Sequence, residues 1–210
     1  MTTTVPTETN DTLVPAPGFD DPTRAAQATF RAVLEALSNP GRRCAVAGAP
    51  AAPQPLGPGL GAVALTLLDV DCTAWLAPEL SATPAVRAWL TFHTGVRVVD
   101  DPTSAHFVIA ADVASLPPLD TLAVGTDEAP HQSATVLLAS PVEDRTARFV
   151  GRGPGIETTQ AVELPGAWRD FAQMWHRNTA VFPRGVDLVL VADDHLVGLP
   201  RTTRLDPQEI

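Results

Sequence analysis

The chain has 210 residues, enough for one domain with a sizeable core, and is 45 % hydrophobic but only 18 % charged. A formal charge of −10 argues against the cation-dense faces that bind nucleic acid and against docking on anionic lipid. All 14 basic residues are Arg, and the absence of Lys excludes an ordinary P-loop, a protein-kinase site and a pyridoxal-phosphate Schiff base.

Residues 1–17 are rich in Thr and Pro, bury little and are expected to form a disordered arm, with a single domain over 18–210. Asp20 or Asp21 followed by Pro22 opens a helix whose apolar face is Ala26, Phe30, Val33, Leu34 and Leu37, and Ser38–Gly41 ends it. Arg42–Ala47 reads as a strand, followed by a Pro/Gly loop over Ala49–Gly59. Leu60–Leu68 reads as a buried helix and Cys72–Ala77 as a strand. Pro84–His93 is helical with Val86, Trp89 and Leu90 inward, and His93 is placed to cap its end. Val96–Val99 and His106–Ala110 are strands, Pro118–Val124 a short helix, and Ala134–Ala139 and Thr146–Val150 strands.

Trp168–His176 is a helix with Trp168, Phe171, Ala172 and Trp175 on one side. The final hairpin pairs Val186–Val191 with Leu196–Leu199 around "ADDH". The continuous apolar run Leu188–Ala192 suits a strand covered on both faces. Helices alternating with strands early, and hairpins late, predict an α/β three-layer sandwich with a mixed sheet.

Cys44 and Cys72 stand apart with no CxxC, which points to reduced thiols. The five His residues never fall at HxxxH spacing, so no metal site is expected. With no signal peptide and no apolar run of membrane-spanning length, a cytoplasmic protein is expected. Gly151, Gly153 and Gly155 follow a strand but precede no helix, so they read as a tight connection. A minority reading lets Arg152 and the loop amides hold an anion. "FPRGVD" and "PRTTR" bracket the last hairpin, so pairing brings Arg184 and Arg201 close, with Thr202 and Thr203 adjacent: the leading reading is a rim that holds carboxylates or carbonyls or meets a partner, and the minority reading an anion site. No group of residues forms a catalytic apparatus.

Taken in order, "FRAVLEALSNPG" (Phe30–Gly41), "LLDVDCTAWL" (Leu67–Leu76), "LTFHTG" (Leu90–Gly95), "GTDEAPHQSATVLL" (Gly125–Leu138), "GPGI" (Gly153–Ile156), "FPRGVDLVLV" (Phe182–Val191) and "LPRTTR" (Leu199–Arg204) resemble the H-subunit family of the bacterial carbon–phosphorus lyase system, PhnH. The resemblance implies a role in using phosphonates as a phosphorus source, in a core complex with G, I and J subunits. With G, I and L, the family is associated with forming ribose 1-methylphosphonate 5-triphosphate from ATP and methylphosphonate, the I subunit being the nucleosidase-like catalyst. It also implies the fold of the pyridoxal-phosphate-dependent transferases and a homodimer when isolated. Lacking Lys, this chain is expected to use that fold without the cofactor. His131 stands where this family is expected to have Glu, which removes any role for a carboxylate there. An accessory subunit is thus the first expectation, a subunit that itself binds nucleotide or phosphonate the second, and a stand-alone enzyme the third.

Overall fold

The structure, a computed structural model, describes residues 15–139, 146–165 and 171–208. Its helices are α1 (Pro22–Ser38), α2 (Gly57–Leu67), α3 (Pro78–Ser81), α4 (Pro84–Thr94) and α5 (Phe171–Ala180). Its strands are β1 (Arg43–Ala45), β2 (Thr73–Leu76), β3 (Arg97–Val99), β4 (Phe107–Ala110), β5 (Thr135–Ala139), β6 (Thr146–Arg152), β7 (Gln160–Pro165), β8 (Asp187–Val191), β9 (His195–Leu199) and β10 (Arg204–Pro207).

Seven strands form one mixed sheet in the order β1-β9-β8-β5-β4-β2-β3. From β8 to β3 every pairing is parallel, whereas β9 runs antiparallel to both β8 and β1. The apolar runs of the central strands explain this placement. Side chains alternate across a strand, and here both faces are dry. Leu188 and Leu190 of β8 join Val136 and Leu138 of β5 in one core, with Phe171 and Trp175 of α5 and residues of the smaller sheet. Val189 and Val191 join Leu137 in the other core, under α1, α2 and α4. The architecture is therefore α/β with a mixed sheet, as expected. β10, β6 and β7 add an antiparallel sheet of three strands.

Several local expectations hold. Asp21 caps α1, its Oδ1 accepting the Arg24 N–H at 3.1 Å. α2 is buried along Gly59–Ala64, and α4 turns Val86, Trp89 and Leu90 inward. The Ala192–His195 turn joins β8 to β9 as a hairpin.

Others are corrected. α1 buries Val33 of its expected apolar stripe and packs Leu37 against the core, but not Phe30 and Leu34. It buries Thr29, Ala32, Val33 and Ala36, leaving Phe30 and Leu34 about half exposed, at 47 % and 50 %. The reason is close approach: a Cβ on Gly198 of β9 would stand 2.6 Å from the Ala36 carbonyl carbon, so only the small-residue face fits against the sheet.

Pro118–Val124 is not a helix but a single 3₁₀ turn, Leu119–Thr121. Thr121 Oγ1 donates to the Pro118 carbonyl at 2.7 Å, a local bond that competes with helix continuation. β7 and β10 were not expected as strands, although Val162, Glu163 and Leu164 of β7 alternate buried, exposed and buried. α5 continues past His176 to Ala180, while Trp168, expected in this helix, lies outside the described residues.

His93 does not cap α4. Gly95 does so with φ +73°, and His93 Nε2 instead donates to the Ala16 carbonyl at 2.9 Å. Trp89 Nε1 donates to the Pro17 carbonyl at 3.3 Å, so the last residues of the expected arm lie against α4. Residues 1–14 lie outside the described residues. No helix among the described residues is long and apolar enough to cross a membrane.

Candidate functional site

Pairing of β8 with β9 brings the two arginine-bearing segments together, as their positions in the sequence predict. Asp187 is the first residue of β8, and Arg201 lies two residues beyond β9. The Arg201 backbone N–H donates to Asp187 Oδ1 at 2.8 Å and its Nε to the same oxygen at 3.1 Å, while Nη2 reaches Asp187 Oδ2 at 2.7 Å. Nη2 also donates to Ser133 Oγ at 2.5 Å, and Nη1 to the carbonyls of Pro130 at 2.8 Å and Pro183 at 3.4 Å.

A guanidinium has five N–H donors, and Arg201 makes five such bonds. Its side chain is only 13 % exposed. It therefore ties together the 3₁₀ turn Pro130–Gln132, the segment entering β8 and the turn leaving β9. Nearby, the buried Asn178 side chain pairs with the backbone of Val186, Oδ1 accepting its N–H at 2.8 Å and Nδ2 donating to its carbonyl at 2.9 Å. That bond anchors α5 to the start of β8.

The other candidates share the neighbourhood but not the cluster. Arg184 turns outward and meets Asp127 at 3.3 Å, both side chains being well exposed. Arg152, at the end of β6, pairs with Asp206 of β10 at 2.6 Å. Thr202 is half-buried. Thr203 is fully buried, and its Oγ1 has no partner among the described residues. Its carbonyl accepts the Trp175 Nε1–H at 2.7 Å. Arg201's donors are occupied and Thr203 is closed to solvent, so an anion arriving from solution would meet Arg184 and Arg152. His131 is exposed in the turn whose Pro130 carbonyl Arg201 holds.

The glycine loop joins β6 to β7 within an antiparallel hairpin, with Gly151 opposite Gln160, and no helix follows it. Gly153 and Gly155 take φ +145° and +82°. A Cβ on Gly153 would stand 2.6 Å from the Thr202 carbonyl oxygen, and one on Gly155 would collide with the Ser38 carbonyl. These glycines permit close backbone approach to the "PRTTR" turn and to the end of α1.

Sequence reasoning missed Asp187, Ser133, Asp127 and Asp206, the partners of the arginines. The available signal was Asp187 itself, a carboxylate three residues after Arg184 at the mouth of an otherwise apolar strand. Among the described residues, no group of three or more His, Cys, Asp or Glu is placed to hold a metal ion.

Residues 17–206 match the family described as bacterial phosphonate metabolism protein (PhnH). A Rhizobium meliloti (strain 1021) protein named alpha-D-ribose 1-methylphosphonate 5-triphosphate synthase subunit PhnH is 39 % identical over 188 residues, covering 90 % of this chain and 94 % of that one. A Stutzerimonas stutzeri protein, HtxG, provisionally named as a C–P lyase subunit, is 33 % identical over 185 residues, covering 86 % and 85 %. The Arg201 centre draws its parts from three of the segments that carry the resemblance, and the match runs over residues 17–206: the chain belongs to the PhnH family of bacterial phosphonate metabolism proteins.

Proposed function

We propose that this protein is an accessory subunit of a carbon–phosphorus lyase system. With its partner subunits it takes part in forming α-D-ribose 1-methylphosphonate 5-triphosphate from ATP and methylphosphonate. The observation that carries this reading is the relationship to the Rhizobium meliloti synthase subunit, which extends over 94 % of that protein's length. The site supports an accessory role, since its best-ordered cation, Arg201, braces three loops instead of facing solvent. Partners in this reading are the G, I and J subunits in the cytoplasm, with a homodimer when the chain is alone.

The fold is read as that of the pyridoxal-phosphate-dependent transferases, a reading supported by the parallel run from β8 to β3. The cofactor does not fit this chain, because no Lys is present to form an internal aldimine.

Co-production of the tagged full-length chain with its G, I and J partners tests the role. A stable complex containing G and I is expected. A homodimer that takes up none of the three overturns the reading.

A further inference from the structure

The solvent face of α1 has no partner among the described residues. Its packed face is lined by small residues, and Phe30 and Leu34, one turn apart, stand 47 % and 50 % exposed beside each other. Val70, after α2, and Phe92, on α4, are exposed at 73 % and 67 % on the same helical side of the sheet. That side thus holds four of the six large apolar residues exposed among the described residues. A Cβ added to Gly95, the α4 cap, would meet Val70, so Val70 lies beside the end of α4.

Two arginines accompany Phe30 and Leu34 on α1. Arg24 and Arg31 flank them along the helix, and neither forms an ion pair among the described residues. Seven other arginines, namely Arg42, Arg43, Arg87, Arg148, Arg152, Arg184 and Arg201, each meet a carboxylate. Glu35 is held by Arg42 at 3.0 Å, and Asp21 is engaged as the helix cap, leaving Asp20 at the far N-terminal end. In a protein of net charge −10, the Phe30–Leu34 pair is an apolar centre flanked by two arginines free of ion pairs among the described residues, while Asp69 and Asp71 flank Val70. Apolar anchors at i and i+4 are how a helix seats in a groove.

We propose that this face docks a different subunit, one whose surface is an apolar groove rimmed by carboxylates. A second copy of this chain fits poorly, because a two-fold contact centred between Phe30 and Leu34 would set Arg31 against its own symmetry mate. The inference rests on the subunit role proposed above.

The test is capture of partner subunits by the tagged full-length chain, co-produced with the other carbon–phosphorus lyase subunits of its own source. Wild type is compared with Phe30→Ser/Leu34→Ser and with Arg24→Glu/Arg31→Glu, and thermal melts confirm that each variant is folded. Benzoylphenylalanine in place of Phe30 identifies the surface touched. Both double variants are expected to capture at least tenfold less partner, and the cross-link to fall on another subunit beside Asp or Glu. Failure of the wild type to capture any subunit overturns the subunit role and this inference together. Wild-type capture that both folded variants match leaves the subunit role standing and overturns this inference alone, as does a cross-link only to a second copy.

Discussion

Arg201 and Asp187 are joined by three hydrogen bonds, two from the guanidinium at 2.7 and 3.1 Å and one from the Arg201 backbone at 2.8 Å. The pair lies where the final hairpin opens, and the same guanidinium reaches Pro130, Pro183 and Ser133. It is the most fully satisfied ionic contact described in the molecule. Its consequences for stability follow from how little of it is exposed.

Removing one member strands the other. Asp187→Ala is expected to cost about 2–3 kcal/mol, below the penalty for a fully buried charge because both side chains keep some exposure. At about 2–4 °C per kcal/mol for a chain of this size, Tm falls by roughly 4–12 °C. Arg201→Lys is not expected to rescue the fold, because an ammonium cannot fork between a carboxylate, a hydroxyl and two carbonyls. Asp127→Ala, which breaks the exposed pair with Arg184, is expected to change stability by less than about 1 kcal/mol. Thermal melts of the three variants decide. Equal losses for Asp187→Ala and Asp127→Ala contradict the assignment of Arg201 as a structural brace.

Gly155 and Gly57 have similar positive φ, +82° and +74°, but different surroundings. A Cβ at Gly155 meets the Ser38 carbonyl and Pro40, whereas at Gly57 the nearest atom is Asp193 Oδ1 at 3.8 Å. Gly57→Ala is expected to cost about 1–2 kcal/mol, from backbone conformation alone. Gly155→Ala adds overpacking and is expected to cost on the order of 2–4 kcal/mol. Urea titration separates the two, and equal midpoints contradict the close packing of the loop on α1.

Both thiols are held above the ordinary value of 9.0. Burial raises Cys44 most, helped by the charge of Glu35. Burial again leads for Cys72, whose S–H is also held by Asp69. Because folding favours the protonated thiols, their contribution to stability is full below the ordinary thiol value and is lost as pH rises through the higher folded values. Asp69 is displaced downward, chiefly by the Cys72 bond. Its contribution is therefore present above the ordinary carboxylate value and disappears as pH falls through the lower folded one. At pH 8, alkylation of both cysteines is expected to be at least tenfold slower in the native protein than in urea. Asp69→Ala should speed Cys72 and leave Cys44 unchanged. Mass spectrometry of the modified peptides reads each site.

If the chain itself holds a phosphate-bearing ligand at the candidate site, Arg184 and Arg152 are the candidate guanidiniums exposed to it. Calorimetric titration with ATP and with methylphosphonate is then expected to show at least tenfold weaker binding in Arg152→Ala/Arg184→Ala, with Tm within a few degrees of wild type. Unchanged binding removes the anion-site reading for these two residues.

The sequence by itself determined the elements whose neighbours are close in the chain. The Asp21 cap, the inward triplet Val86, Trp89 and Leu90, the doubly buried run of β8 and the last hairpin are all legible because one turn or one strand contains the whole pattern. Seven ordered segments were likewise enough to reach the family. Tertiary structure alone decided which face α1 buries, because that choice depends on Gly198 of β9 lying against Ala36. It decided that β7 and β10 form one sheet with β6, since that depends on pairing between segments up to some fifty residues apart. It also decided what Arg201 does. Proximity to Arg184 followed from the hairpin, but the bonds to Pro130 and Ser133 span 71 and 68 residues. Local periodicity carries no information about contacts of that range. They are set by which strands lie side by side in the sheet, and that order chose the carboxylate, hydroxyl and carbonyls that Arg201 holds.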